Sequence, residues 1–369
     1  MRSLHALLAP LTRKAGSATG PIGIDLAQDR LNLAQFDGTP TGPSVRAAAS
    51  LPYPCSRDEL LASPPRLKRL LRQGLQPHGF KGRRVVSCLR PDEMRILLVN
   101  YPAGSDDSAA IAGELRERLK GELATSVVDF IPIRNDDGDP NRRDALVVVA
   151  PRDNVIRHLD LLDSVGLEAS SLDVGPAALA RLISFVNALD VREKHPNVLL
   201  INFGHLRSHV SVVWGRRLIL DRPIEFGERS LLERLSRVLG IDDDMASRML
   251  EDTGFGEPAA DDGELARTMA EVLRPQFTAL VGEINKTLVY TASRSRGRGI
   301  DQIYLLGSVG RYRGIDRVMQ QLLEIPVEVL NPFRSFRSSL READQARLRP
   351  IAGLALACGL SLRGLRDHG

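Results

Sequence analysis

Val198-Leu199-Leu200-Ile201-Asn202-Phe203-Gly204-His205-Leu206-Arg207-Ser208-His209-Val210-Ser211-Val212-Val213-Trp214-Gly215 is the stretch on which the fold turns. Four apolar residues run into a polar corner containing Gly204. Alternation then resumes, with Val210, Val212 and Trp214 on one side and Ser211 and Val213 on the other. A buried strand, a tight corner and an outgoing strand make a hairpin. The same plan occurs earlier, from Ile22-Gly23-Ile24-Asp25 through Leu26-Ala27-Gln28-Asp29-Arg30 to Phe36-Asp37-Gly38. Two such hairpins, each with an acid or amide at its corner, predict two similar lobes facing one cleft.

The bulk numbers fit that plan. The 369 residues allow two or three domains, each with its own core. A hydrophobic content of 43% with 26% charged residues is that of an ordinary globular chain. Six lysines stand against 44 arginines, while the net charge is only +4. The arginine clusters, such as Arg83-Arg84 and Arg142-Arg143, read either as codon bias or as a surface for acidic partners or anionic lipid. No aromatics interleave them, which argues against nucleic acid. Cys55, Cys88 and Cys358 form no CxxC pair, so no zinc site is expected. Cys88 and Cys358 sit in apolar runs and read as core. No run of eighteen apolar residues predicts a membrane span. In Met1–Lys14 the charges follow the apolar patch, the wrong order for a secretory signal, so it reads as a short amphipathic or frayed helix, the former able to lie on a membrane surface.

Between the hairpins, strands and helices alternate, which predicts an α/β fold. Residues 15–21 read as a flexible lead-in. Ser56–Gln76 reads as helix broken near Pro64-Pro65. Ala109–Leu123 reads as helix with an i,i+4 pair of Glu114 and Arg118. Asn135–Asn141 reads as a hairpin turn. Asp153 is expected to cap a helix whose apolar face is Ile156, Leu159, Leu162 and Val165. Glu264–Ala292 reads as a long helix kinked at Pro275, with Leu265 and Met269 on its apolar face. Flanking it, Thr253–Gly263 and Ser293–Gly299 read as loops. Ile351–Leu362 reads as an alanine-rich closing helix.

Three places carry candidate chemistry. Gly23 and Asp25 lie at the first corner, and Asn202, Gly204 and Arg207 at the second. Gly307 and Ser308 end a strand before a helix, a usual seat for a nucleotide. Glycine corners bare backbone N–H groups to phosphate, and they also simply make turns. Asp25 is the candidate magnesium ligand, whereas Asn202 brings no charge.

The order of these pieces resembles the actin-like ATPase superfamily. Within it the resemblance is to the PilM family of pilus assembly proteins, relatives of the cell-division protein FtsA. It runs over roughly residues 20–365. Its specific carriers are Ile22–Asp25, Leu200–Gly204 with Leu218–Gly227, Ile303–Ser308, Ile325–Phe333 and the Ala357-Cys358-Gly359-Leu360-Ser361-Leu362-Arg363 ending. The resemblance implies two ribonuclease-H-like lobes around a cleft, with an inserted small subdomain. It assigns residues 20–91, 171–195 and 350–365 to the first lobe and 92–170 to the insert. Residues 196–235 and 300–349 form the second lobe's core, and 236–299 its helical subdomain. It implies ATP and Mg²⁺ as cofactors.

Departures fall on the phosphate-facing corners. Ala27, Gln28 and Asp29 replace the small residues usual there, and Asp29 would repel a γ-phosphate. Asn202 replaces an aspartate, and Arg207 is the residue that would compensate by touching phosphate. ATP is therefore expected to bind weakly or not at all, without hydrolysis and with no catalytic residue. The resemblance then implies a cytoplasmic scaffold of a type IV pilus or type II secretion-like machine. It would sit at the inner membrane through the N-terminal cytoplasmic peptide of a PilN-like protein, held in a groove built from roughly residues 92–180. Pilus motor or platform proteins are further implied partners. The alternatives are an active actin-like ATPase or sugar-kinase relative, and an FtsA-like filament former.

Overall fold

A computed structural model describes residues 18–104, 106–133, 141–188, 196–255, 263–294, 299–338, 340, 348, 351–363 and 365. The N-terminal segment Met1–Lys14, most of the Asn135–Asn141 turn and most of the two loops flanking the long helix lie outside the described residues.

The chain begins as an antiparallel meander, β1 (Ala18–Leu26), β2 (Arg30–Thr39) and β3 (Gly42–Pro52). It crosses through α1 (Arg57–Leu61) and α2 (Pro64–Leu75) to β4 (Arg84–Cys88), which lies parallel beside β1. It then leaves that sheet for β5 (Arg95–Pro102), α3 (Asp107–Leu119), β6 (Ser126–Ile133) and β7 (Arg142–Pro151). Through α4 (Arg152–Ser164) it returns to β8 (Glu168–Asp173), parallel to β4, and continues into α5 (Gly175–Ala188).

The second half repeats the opening. β9 (Val198–Phe203), β10 (Ser208–Trp214) and β11 (Arg217–Ile224) form a meander. After α6 (Glu228–Leu239), α7 (Asp243–Thr253) and α8 (Gly263–Arg294), β12 (Gln302–Gly307) lies parallel beside β9. Then come α9 (Ile315–Leu322), β13 (Val327–Val329), β14 (Arg337–Ser338) and α10 (Ala355–Ser361). The strand orders are β14-β3-β2-β1-β4-β8 and β11-β10-β9-β12-β13, with a third sheet β5-β7-β6. This is the two-lobed actin-like architecture with its inserted small sheet.

Burial explains the central strand's unbroken apolar run. On β9, Leu199, Ile201 and Phe203 face a core shared with α6 and α8. Val198 and Leu200 face a different core, shared with α5, the closing segment and the first sheet's Phe36 and Val45. A strand covered on both faces needs no polar alternation. That second cluster also joins the lobes, since it takes residues from both large sheets.

Several expectations need correction. Ala18–Pro21 belong to β1 rather than to a flexible lead-in. Helix α4 starts after Pro151, so Asp153 lies in its first turn and is not the cap. His158 and Leu162 are its buried residues, and Ile156 is 48% exposed. Glu114 pairs with Arg142 of β7, while Arg118 donates to the Leu98 carbonyl, so long-range partners displace the local pair. On helix α8, whose span includes Pro275, Leu265 is exposed rather than part of the apolar face. Cys358 is buried, but Cys88 is only half-buried. The closing segment is a 3-10 turn, Ile351–Leu354, followed by the α-helix.

Candidate functional site: the cleft between the lobes

The two corners are brought to one cleft, and each candidate residue has a structural occupation there. A methyl on Gly23 would sit 1.9 Å from the Ala357 carbonyl oxygen, so this glycine lets α10 lie on β1. The helix is pinned by Ser361, whose hydroxyl donates to the Pro21 carbonyl at 2.8 Å and accepts the Phe36 N–H at 3.0 Å. A methyl on Gly204 would meet the Arg207 carbonyl oxygen at 2.1 Å. Gly307 has φ +79°, and its methyl would meet the Phe203 carbonyl oxygen at 2.1 Å and Asn202 Oδ1 at 2.8 Å. All three glycines are demanded by close backbone approach within the protein.

Ser308 braces the second corner. Its N–H donates to the Phe203 carbonyl at 2.8 Å. Its hydroxyl is 3.3 Å from the carbonyl oxygens of both Phe203 and Gly204. Asn202 lies against Gly307 where β9 and β12 run parallel. Arg207 points outward and pairs with Glu225 at 3.0 Å, both side chains mostly exposed.

Asp25 accepts a hydrogen bond from Asn32 Nδ2 at 3.0 Å. Burial pushes its carboxyl up to about 6, against the Asn32 bond and the Arg57 charge, which pull it down. Its corner is braced from β3's end, where the Tyr53 N–H donates to the Asp29 carbonyl at 2.8 Å and its hydroxyl to the Ala27 carbonyl at 3.1 Å.

The centre of the cleft is held by a residue that the sequence did not single out. Arg311 follows β12 in a 3-10 turn, Val309–Arg311, and its side chain is 12% exposed. Its Nη1 lies 3.0 Å from Asp29 Oδ2 of the first lobe. Its Nη2 lies 2.9 Å from Glu228 Oε1 and 3.6 Å from Glu251 Oε1, both of the second lobe. Glu228 is the buried first residue of α6. Tyr312 donates to Glu228 Oε1 at 2.6 Å, and His205 Nδ1 is 3.4 Å from Oε2. Burial alone would raise the Glu228 carboxyl. The His205 bond, the Arg311 charge and the Tyr312 bond outweigh it and hold the group below the ordinary carboxylate range. One guanidinium therefore ties the β1–β2 corner to the start of α6 across the cleft.

Beside this knot lies a cavity of ≈ 560 Å³, walled by Arg30, Glu251 and Arg311 and floored by Val329, Leu330 and Ile351. That is a ligand-sized space. Its cations are already engaged, since Arg30 lies 3.7 Å from Asp29 and Arg311 carries three carboxylates. Among the described residues, no three His, Cys, Asp or Glu side chains converge as a metal cluster.

The inserted sheet presents a second kind of site. Its middle strand β7 is buried, and α3 covers one face through Ile111, Leu115 and Leu119. Among the described residues, the strands β5 and β6 are edges that pair only with β7. On β6, Val127, Val128, Phe130 and Ile131 are half-buried.

A family model described as type IV pilus assembly protein PilM matches residues 23–365. A solved structure, the PilM-PilN type IV pilus biogenesis complex, superposes with a TM-score of 0.75 at 22% identity, covering 94% of this chain and 99% of that one. Ethanolamine utilization protein EutJ from Carboxydothermus hydrogenoformans superposes with a TM-score of 0.51 at 13% identity, covering 98% of this chain and 93% of that one. Among the described residues, no helix is long and apolar enough to cross a membrane.

Proposed function

The chain belongs to the PilM family of type IV pilus assembly proteins, and from that membership we propose that it is a cytoplasmic scaffold that captures the N-terminal cytoplasmic peptide of a PilN-like inner-membrane protein. The capture site is the groove between the first lobe and the inserted sheet, built from roughly residues 92–180. The observation that carries this is the pair of open edges, β5 and β6, with half-buried apolar side chains along β6. An extended peptide binds such an edge through main-chain hydrogen bonds, and alternate side chains give specificity. The fold shared with the PilM chain of the PilM-PilN complex is consistent with it. Association with the membrane follows through the partner, and motor or platform proteins are reached through the same assembly.

The cleft, in this reading, takes ATP and Mg²⁺ weakly or not at all and hydrolyses nothing. Support comes from Asp29, Glu228 and Glu251, which place negative charge around the Arg311 guanidinium that an incoming triphosphate would need. The glycines that resemble a phosphate cradle are spent on backbone packing.

The test is a titration of the protein with the synthetic N-terminal peptide of the single-span membrane protein encoded beside it, followed by amide hydrogen exchange. Saturable binding with added protection on β5 or β6 is expected. Saturable binding that leaves both edges exchanging freely would move the groove elsewhere. No binding would overturn the scaffold reading.

A further inference from the structure

The cations outside the cleft are unevenly placed. Residues 60–91 hold eight lysines and arginines and no aspartate or glutamate. That stretch carries +8 while the whole chain carries +4, which leaves the remaining 337 residues at −4.

Helix α2 is its centre. Leu67, Leu70, Leu71 and Gly74 are buried, the leucines in the core beneath the first sheet with Leu162 of α4 and Val165 just after it. At 3.6 residues per turn, that leaves the opposite face to Arg66, Lys68, Arg69 and Arg72, all exposed. Lys68, Arg69 and Arg72 point within an arc of about 100°. Lys81 and Arg83 are exposed just beyond the helix. Among the described residues, none of these six side chains forms an ion pair with a carboxylate. Arg311 in the cleft, by contrast, engages three.

We infer that the basic face of α2 is an adsorption surface for an anionic lipid bilayer. The leucines behind the face are committed to the core, so it keeps no apolar anchor for a peptide. Single-stranded nucleic acid needs stacking rings among its cations. Phe80, the one Phe, Tyr or Trp of residues 60–91, packs against the core instead. A charged plane needs only long cationic side chains pointing the same way. Each basic residue near an anionic surface strengthens adsorption roughly fivefold, and the effect decays over a Debye length. Because nothing apolar is left to insert, adsorption is purely electrostatic and reversible by salt. This inference rests on the charge of one helix and does not depend on the peptide reading.

The test is flotation of the full chain with vesicles of phosphatidylglycerol in phosphatidylcholine, and with phosphatidylcholine alone, at low and high salt. The wild-type chain should float with the anionic vesicles at low salt only. The full-length quadruple variant Arg66→Gln/Lys68→Gln/Arg69→Gln/Arg72→Gln should lose at least about tenfold in partitioning. Should it misfold, Arg69→Gln/Arg72→Gln gives an intermediate loss, while Arg216→Gln/Arg217→Gln, exposed on another face, changes nothing. Equal flotation with neutral vesicles overturns the inference, as does absence of flotation at low salt. So does wild-type flotation by the quadruple variant, which would put adsorption in another segment. Duplex DNA displacing the anionic vesicles at equal phosphate would overturn it in favour of nucleic acid.

Discussion

The β1–β2 corner of the first lobe and the β9–β10 corner of the second share a strand plan and differ in charge. The first carries two carboxylates, Asp25 and Asp29, with Asp25 held by Asn32. The second carries an amide, Asn202, and packs its backbone tightly against Gly307 and Ser308. The acid of the first corner is answered by Arg311, which comes from the second lobe. A frame that repeats need not repeat its electrostatics. Here the difference lets one lobe ion-pair with the other, where both would otherwise converge on a shared anion.

The comparison breaks most visibly at Arg311. Arg311→Met leaves Glu228 as a buried carboxylate without its cation, which costs roughly 3–5 kcal/mol. Denaturant unfolding should show that loss. Adding Glu228→Gln should recover much of it, because the uncompensated charge is then gone. If Arg311→Met were as stable as the wild type, the knot would hold nothing.

Asp25 comes next and sharpens the contrast through pH. Its carboxyl is raised from 3.8 to about 6 in the folded chain. Between those values the folded state binds more protons than the unfolded one. Its stability contribution is therefore full below about pH 4 and falls as pH rises through 6. Asp25→Asn should stabilise the protein by of order 1–2 kcal/mol at pH 8 and give no gain near pH 4. A gain independent of pH would assign the effect to packing instead.

The smallest effect belongs to Arg207, on the rim of the second corner. Its pair with Glu225 is solvent-exposed on both sides. Arg207→Ala should cost under about 1 kcal/mol in the same unfolding assay. A cost matching that of Arg311→Met would erase the distinction between rim and knot.

The frame was legible in the sequence because burial imposes period. The β9 run of four apolar residues and the matching alternation around Ile22 and Ile24 mark strands at the centre of sheets. Of the face expected after Asp153, Leu162 and Val165 are buried and Ile156 is not, because the stripe continues through a polar residue, His158, which hydrogen-bonds Ser87 at 3.0 Å. Apolar spacing cannot register such a position. The centre of the cleft was hidden for a different reason. Arg311 is one of 44 arginines, and its partner Asp29 lies 282 residues away. Asp29 itself was the available signal. An acid at a phosphate corner repels phosphate and favours a nearby cation, but local pattern names no residue to supply it.

Titration of the purified full-length protein with Mg²⁺-ATP by calorimetry addresses the central claim most directly, that the lobes are tied by their own ion pairs rather than by nucleotide. The account predicts no saturable heat, or a Kd weaker than about 1 mM. A micromolar Kd in the wild-type protein would contradict it.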